Sequence, residues 1–285
     1  MTEPLGALLG AAVPRHCPEL ENPHQSALAL VAHVLGKPKT WVIAHSDAYL
    51  TPAQTREIEA LLERLCAGEP LAYLTGKQAF FGLEFNVSPA VLIPRPETEL
   101  LVESGLAWLE KHPQAHRALD IGTGSGAIAI ALASKCPRLE VLAADISDQA
   151  LAVAQANIAR HDLHDLQARV STIKSDLCQA IAGQFDLLTA NLPYIPAQKL
   201  LQLPGLAWEP QTALDGGEDG LTFIRRLLTQ APPLLNRTAL ILLETESSLG
   251  PQTAALAIAA FPHGTIELHR DLAGLDRLVS IQLTE

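Results

Sequence analysis

The chain has 285 residues, 48% of them apolar and 18% charged, with 20 basic against 31 acidic side chains and a net charge of −11. That length allows two domains, each large enough to bury a core, and the composition excludes a disordered or fibrous chain. No apolar run reaches bilayer length, Met1 to Ala12 lacks the basic start of a signal peptide, and the acidic excess disfavours a phosphate backbone as partner; the expectation is a soluble cytoplasmic protein acting on a small molecule or a protein.

In chain order, residues 1–75 read as a helical unit. A helix is expected from Pro23 to Leu35, stopped by Gly36 and Pro38, with Leu28, Val31, Ala32 and Leu35 facing inward. A second starts at Thr51 with Pro52 behind it and Gln54 at the capping-box position; Ile58, Leu61, Leu62 and Leu65 form its apolar stripe, and it ends near Gly68. Residues 76–96 change character: Phe80, Phe81, Leu83, Phe85 and Val87 alternate around Gly82 as in a short hairpin, which reads as the linker. From 97 to 285 apolar strands at 117–121, 139–144, 185–190 and 238–244 alternate with helices at 97–111, 126–135, 148–160 and 220–235, and an antiparallel hairpin is expected from about Thr265 to the C-terminus. This pattern predicts an α/β fold with a mostly parallel sheet. Cys17, Cys66, Cys136 and Cys178 form no C-x-x-C pair and read as reduced structural thiols.

The glycine-rich run Asp120-Ile121-Gly122-Thr123-Gly124-Ser125-Gly126 ends a predicted strand and opens a predicted helix, where such sheets bind ligands. Glycine lets a ligand approach the backbone. Asp145, closing the next strand, is suited to accept both hydroxyls of a ribose. Asp120 would repel a pyrophosphate but attract an amine and a sulfonium, and G-x-G-x-G departs from the dinucleotide spacing G-x-G-x-x-G. These features favour S-adenosylmethionine over NAD and a methyltransferase over a dehydrogenase. Asp176 follows the strand-like Val170 to Ile173 and can accept from an adenine amino group, with Leu177 beside the ring; capping of the next turn by Ser175-Asp176 is the alternative.

After the strand Phe185 to Ala190 comes Asn191-Leu192-Pro193-Tyr194. An amide nitrogen is a poor nucleophile, so a site that methylates one should accept both N–H hydrogens and aim the lone pair at the methyl. The Asn191 side-chain carbonyl and the Leu192 backbone carbonyl are candidate acceptors, Pro193 stiffens the loop, and Tyr194 can pack on a flat acceptor. Taken alone, the same four residues also read as a turn.

With these residues in place, the chain resembles the protein-glutamine N5-methyltransferases that modify peptide chain release factors. The resemblance runs over nearly the whole chain, through Gly68 to Gly76, Phe81-Gly82-Leu83, Ile93-Pro94-Arg95-Pro96-Glu97-Thr98-Glu99, the glycine run, the Asn191 loop, Glu209-Pro210, Ala213-Leu214 and Gly217-Glu218-Asp219-Gly220-Leu221. It implies a helical N-terminal domain that recognises the release factor, joined by a hairpin to a seven-stranded Rossmann-like methyltransferase domain. It implies transfer from S-adenosylmethionine, with S-adenosylhomocysteine as product, to the glutamine of a Gly-Gly-Gln motif. Carried onto this sequence, Asp120, Gly122, Thr123, Gly124, Ser125, Gly126, Asp145, Asp176, Leu177 and Asn191 border the cofactor. Asn191, Leu192, Pro193 and Tyr194 hold the glutamine amide, with Asn191, Pro193 and Tyr194 as the catalytic set. Glu97 to Glu99 would lie at the mouth of the site or cap the helix that follows.

The family usually has two prolines in the acceptor loop, and Leu192 replaces the first. Asn-Leu-Pro-Tyr is also the form in ribosomal RNA adenine dimethyltransferases, so an N6-adenine methyltransferase acting on RNA or DNA is the alternative. The acidic charge, the N-terminal domain and the Pro94-to-Glu99 run favour a protein substrate. His161 and His164, beside Asp162 and Asp165, read as a solvated helix end and not as a metal site. The leucine-rich Ala197 to Ala207 and Trp208 read as a lid or a packed loop. A partner-binding protein that keeps its cofactor as a structural ligand is the non-catalytic alternative, and a monomer is expected because neither domain shows a long exposed apolar face.

Overall fold

The computed structural model describes residues 4–6, 9, 22–161 and 165–284. The chain divides into two compact units, Met1–Lys77 and Gln78–Glu285. The first contains α1 (Pro23–Leu35), α2 (Lys39–Ala44), α3 (Pro52–Cys66) and α4 (Leu71–Thr75). α3 begins with the capping box expected from its sequence: Gln54 N donates to Thr51 Oγ1 at 3.3 Å and Thr51 N donates to Gln54 Oε1 at 2.9 Å. α1 stops at Gly36, whose φ of 61° is the left-handed conformation that glycine tolerates. Leu28, Val31, Ala32, Ile58, Leu62 and Leu65 meet in one core, with Leu35 and Leu61 partly buried at its edge. Cys66 is disulfide-bonded, which corrects the reduced-thiol reading for that residue; spacing along a chain does not report which sulfurs meet in space. Cys17 lies outside the described residues, and Cys136 and Cys178 are free and buried.

Strands β1 (Lys77–Phe80) and β2 (Leu83–Asn86) form the expected hairpin, turned by Phe81 and Gly82 at φ 48° and 73°. A 3-10 turn over Pro96–Thr98 then leads into α5 (Glu99–Lys111). Thr98 makes no side-chain cap, and Glu99 is used elsewhere: its Oε1 accepts from Phe81 N at 2.7 Å and ties the hairpin to the helix. Next come β3 (Arg117–Ile121), α6 (Ala127–Lys135), β4 (Glu140–Asp145), α7 (Asp148–Arg160), α8 (Leu166–Arg169), β5 (Val170–Lys174), β6 (Phe185–Ala190), α9 (Ala197–Leu200), α10 (Thr222–Gln230), β7 (Leu235–Glu244), α11 (Gly250–Ala260), β8 (Thr265–Arg270) and β9 (Asp276–Leu283). The helix expected over 220–235 stops at Gln230, because Pro232 and Pro233 cannot continue it, and β7 therefore starts at Leu235. Asp162 and His164 lie outside the described residues; His161 Nε2 sits 2.8 Å from the Glu84 carbonyl oxygen.

The strands form one seven-stranded sheet in the order β5-β4-β3-β6-β7-β9-β8. β5 through β7 run parallel, and β9 is antiparallel to both β7 and β8. The near-continuous apolar runs follow from burial on both faces. Ala118, Leu187, Leu240 and Leu242 pack against α5 and α6, while Leu119, Leu188, Ile241 and Leu243 pack on the other face with Ile224, Leu227 and Ala257 of α10 and α11. This period of two puts Asp120, Thr189 and Glu244, three buried polar residues near the carboxyl ends of their strands, on the face covered by α5 and α6.

The chain leaves β3 for β4 and β5 on one side, then returns to place β6 on the other, so the sheet changes direction between β3 and β6. The crevice outside the carboxyl ends of strands at such a point is where open α/β sheets bind ligands. Behind it, Gly216 to Gly220 pack on the Asn191 loop. Gly216 N donates to Ile195 O at 2.8 Å, and Ile195 N donates to Leu214 O at 3.0 Å. A Cβ on Gly220, which has φ 79°, would lie 2.3 Å from the Tyr194 carbonyl oxygen. Gly220→Ala is expected to cost about 1–3 kcal/mol of overpacking beyond the roughly 1 kcal/mol of left-handed strain. Gly274→Ala, at φ 78° with nothing within 4 Å of the added carbon, should show the strain alone. Chemical denaturation of both variants tests this, and equal losses would refute the close packing.

Candidate active site

A cavity of about 540 Å³ opens at the carboxyl edge of β3, β4, β5 and β6 in the second unit. Register explains why these loops meet. Ile121 is the Cα partner of both Ala144 and Ala190, so the residues that follow each strand leave the sheet side by side. The N–H groups of Gly122 and Thr123 both donate to Ala144 O at 2.9 Å, and a Cβ on Gly122 would lie 3.1 Å from Leu192 Cδ2. Glycine at 122 thus lets the two loops approach, while Gly124 lines the cavity with open space where a side chain would be. Gly126, at φ 79°, serves packing: a Cβ there would sit 3.2 Å from Ile130 Cδ1 and 3.3 Å from Ala154 Cβ.

Of the residues expected at the cofactor, Gly122, Thr123, Gly124, Ser125, Asp145, Asp176, Leu177 and Asn191 line the cavity, and Asp120 and Gly126 do not. Asp145 Oδ2 accepts from Gly124 N and Oδ1 from Ser147 N, both at 2.9 Å, which fixes the carboxylate at the wall while each oxygen keeps a further lone pair; burial raises its pKa. Asp176 Oδ2 accepts from Arg226 at 2.6 Å, a partner the sequence did not indicate. Ser175 Oγ accepts from Ala180 N at 3.1 Å, across the turn that follows β5. Leu177 holds φ 51°, an unusual backbone for leucine, and is buried against the cavity.

Asp120 sits behind the glycine turn. Its two oxygens accept from the hydroxyls of Thr123 at 2.6 Å and Thr189 at 2.7 Å, and burial pushes its pKa up to about 6. Asn157, absent from the sequence reading, is completely buried, and its Nδ2 donates to Ser125 O at 2.9 Å and Asn86 O at 3.0 Å. It pins the end of the turn to the hairpin. A polar residue at a helix position facing the core was the available signal.

In the acceptor loop Asn191, Leu192 and Pro193 line the cavity. Asn191 Nδ2 donates to Thr98 Oγ1 at 3.1 Å, and Thr98 is itself 4% exposed. The Asn191 side chain carries no other hydrogen bond among the described residues, which leaves Oδ1 available as an acceptor. Tyr194 is not on the cavity wall; its hydroxyl donates to Glu244 Oε1 at 3.4 Å, and burial raises its pKa. The Pro94-Arg95 segment forms another part of the wall, held by Glu209, whose carboxylate pairs with Arg95 and accepts from Ile93 N at 3.1 Å. Glu97 is exposed. None of residues 197–208 lines the cavity, and Leu201 and Trp208 are solvent-exposed.

Residues 17–76 match the family model of the PrmC N-terminal domain, and residues 97–203 match that of the methyltransferase small domain. A release factor glutamine methyltransferase from Bordetella pertussis is 41% identical over 261 residues, covering 90% of this chain and 93% of that relative. The Escherichia coli release factor glutamine methyltransferase is 39% identical over 263 residues, covering 90% of this chain and 91% of its own. The catalytic domain of human METTL16 superposes with a TM-score of 0.56 at 19% identity, covering 79% of this chain and 82% of that one, a likeness of fold. With both family models matched in order, and with these relatives covered almost end to end, the chain belongs to the release factor glutamine methyltransferase family.

Proposed function

We propose that this chain transfers the methyl group of S-adenosylmethionine to the side-chain amide nitrogen of the glutamine in the Gly-Gly-Gln motif of peptide chain release factors, leaving S-adenosylhomocysteine. The observation that carries the reading is the Asn191 side chain at the cavity wall, anchored through Nδ2 with Oδ1 left to accept, beside a glycine turn open to a ligand. The relatives that the chain matches over nine tenths of its length carry the same activity in their names.

The residues present fit S-adenosylmethionine. Asp145 offers lone pairs to a ribose diol, Gly124 leaves room for close approach, and Leu177 with Asp176 suits an adenine edge. Thr123, Ser125 and Gly126 shape the turn, and Asp120 acts from behind it, holding the Thr123 hydroxyl and adding negative charge near a cationic ligand. The cofactor supplies an electrophilic methyl on a sulfonium. The Asn191 Oδ1 and Leu192 backbone carbonyls accept the two N–H hydrogens of the glutamine amide, which orients its nitrogen lone pair toward that methyl. Pro193 stiffens the loop, and Tyr194 supports it from the Glu244 side.

In this reading residues 1–75 are the recognition domain for the release factor, residues 76–96 are the hairpin linker, and residues 97–285 carry the chemistry. The proposed setting is the cytoplasm, with the chain acting as a monomer. Among the described residues no helix is long and apolar enough to cross a membrane. The net charge of −11 favours a protein over RNA or DNA as substrate.

Radiolabel from S-adenosylmethionine should appear on a purified release factor and be absent from the same factor with its Gly-Gly-Gln glutamine changed to alanine; label on a ribosomal RNA control would overturn the substrate assignment. Asn191→Ala should lower kcat on the order of 10²- to 10³-fold while leaving cofactor affinity within about twofold. Asp145→Ala should instead raise the cofactor Kd by about tenfold or more, through loss of hydrogen bonds worth ~1.4 kcal/mol, read by calorimetry. An unchanged Kd would remove Asp145 from the cofactor site.

A further inference from the structure

Asn157 holds a place on α7 that both helix propensity and burial disfavour. It is completely buried, and a carboxamide is a poor helix former that is costly to desolvate unless its hydrogen bonds are met. Here backbone groups alone meet them. Asn157 Oδ1 accepts from Asn86 N at 2.7 Å, while Nδ2 donates to Asn86 O at 3.0 Å and to Ser125 O at 2.9 Å. The side chain pairs with both polar groups of Asn86, as a neighbouring strand residue would, and extends that contact to the glycine turn. Arg160 and His161, at the end of the same helix, also reach the hairpin at Asn86 Oδ1 and the Glu84 carbonyl oxygen, but of these three only Asn157 also bonds the turn.

Within the turn, the N–H groups of Gly122 and Thr123 donate to Ala144 O, that of Gly124 to Asp145 Oδ2 and that of Gly126 to Thr123 O at 2.8 Å. Ser125 lines the cavity, and its N–H has no hydrogen-bond partner among the described residues, so it is the one donor of the turn left for a ligand. The next peptide, Ser125–Gly126, is gripped at both ends, its N–H by Thr123 O and its carbonyl by Asn157 Nδ2. Gly124 and Gly126 lie at φ 54° and 79°, and with no side chains to resist rotation of the peptides beside them, hydrogen bonds must set the orientation. Without the Asn157 donor, Ser125 O loses its partner and the peptide is free to turn.

Resting on the function proposed above, we infer that Asn157 is a positioning residue for the cofactor: it holds the Ser125–Gly126 peptide in the orientation that receives the ligand and couples that orientation to closure of the hairpin at Asn86. Phe80, on the other strand of the hairpin, lines the same cavity, so hairpin and turn are two parts of one wall. The coupling is reciprocal. A cofactor that needs the clamped turn tightens the Asn86 contact, and loss of the clamp weakens the cofactor in proportion to the time the turn spends in another arrangement.

Two measurements on the full-length protein with S-adenosylhomocysteine test this. Asn157→Asp keeps the shape of the side chain but sets an oxygen against the Asn86 and Ser125 carbonyls. By calorimetry it should raise the Kd about tenfold, as for a turn that is ligand-ready about one tenth of the time. Ile158→Ala removes core packing from the adjoining position of α7, which does not line the cavity, and should leave the Kd within about twofold. The wild-type protein gives the second readout, amide hydrogen exchange by NMR. On adding the ligand, Asn86 N–H, held by Asn157, should slow about tenfold more than Phe81 N–H, held by Glu99 at the tip of the same hairpin. Equal slowing of the two amides, an unchanged Kd in Asn157→Asp, or an equal loss in Ile158→Ala overturns the inference; should Asn157→Asp fail to fold, the wild-type exchange decides. Wild-type protein that binds no S-adenosylhomocysteine overturns the cofactor reading and the inference with it, whereas tight wild-type binding indifferent to Asn157 overturns the inference alone.

Discussion

The shared register at Ile121 organises this site. Because β3 pairs in parallel with β4 on one side and β6 on the other, the chain leaves three neighbouring strands at one level, and the glycine turn, Asp145 and Asn191 emerge together. Parallel pairing directs all three exits to the same edge of the sheet; an antiparallel neighbour would send one to the opposite edge. The close approach then depends on glycine: Gly122 admits Leu192, and Gly220 admits the Tyr194 carbonyl. Leu192 occupies the gap left by Gly122 and is 4% exposed, so its packing helps hold the loop.

A layer of buried polar groups lies under those loops. Asp120 grips Thr123 and Thr189, Asn157 grips Ser125, and Thr98 grips Asn191, so Thr123, Ser125 and Asn191 at the cavity wall are each held by a buried polar side chain. A side chain held in this way loses little freedom when a ligand arrives, which is how such a site can orient a weak nucleophile. The raised pKa values of Asp120 and Glu244 follow from the same arrangement, because α5 and α6 bury the strand face that carries them.

The Pro94 to Pro96 run and the Glu209-Pro210 pair also acquire physical roles. Glu209 binds the backbone at Ile93 and the Arg95 guanidinium, so the Pro-Arg-Pro run and the Glu-Pro pair, more than a hundred residues apart, form one clamp at the cavity wall. Arg226 on α10 does the same for Asp176. The exposed Leu201 and Trp208 lie in the segment between the Asn191 loop and this clamp.

Local patterning was sufficient to read most elements of both units. The capping box at Thr51, the apolar stripes of α1 and α3, the period-two hairpin and the alternation of strands and helices are all encoded within a few residues of where they act. The glycine run, Asp145, Asp176 and Asn191 were legible for the same reason, since each follows a recognisable strand. The sheet order, the Cys66 disulfide, the Arg226 and Asn157 contacts, the retreat of Asp120 behind the turn and the Tyr194–Glu244 pair were not. Those depend on which strands lie side by side and on which face of the sheet a side chain falls, and they join residues far apart in the chain; Asn191 and Thr98, 93 positions apart, meet only because β6 packs beneath the start of α5.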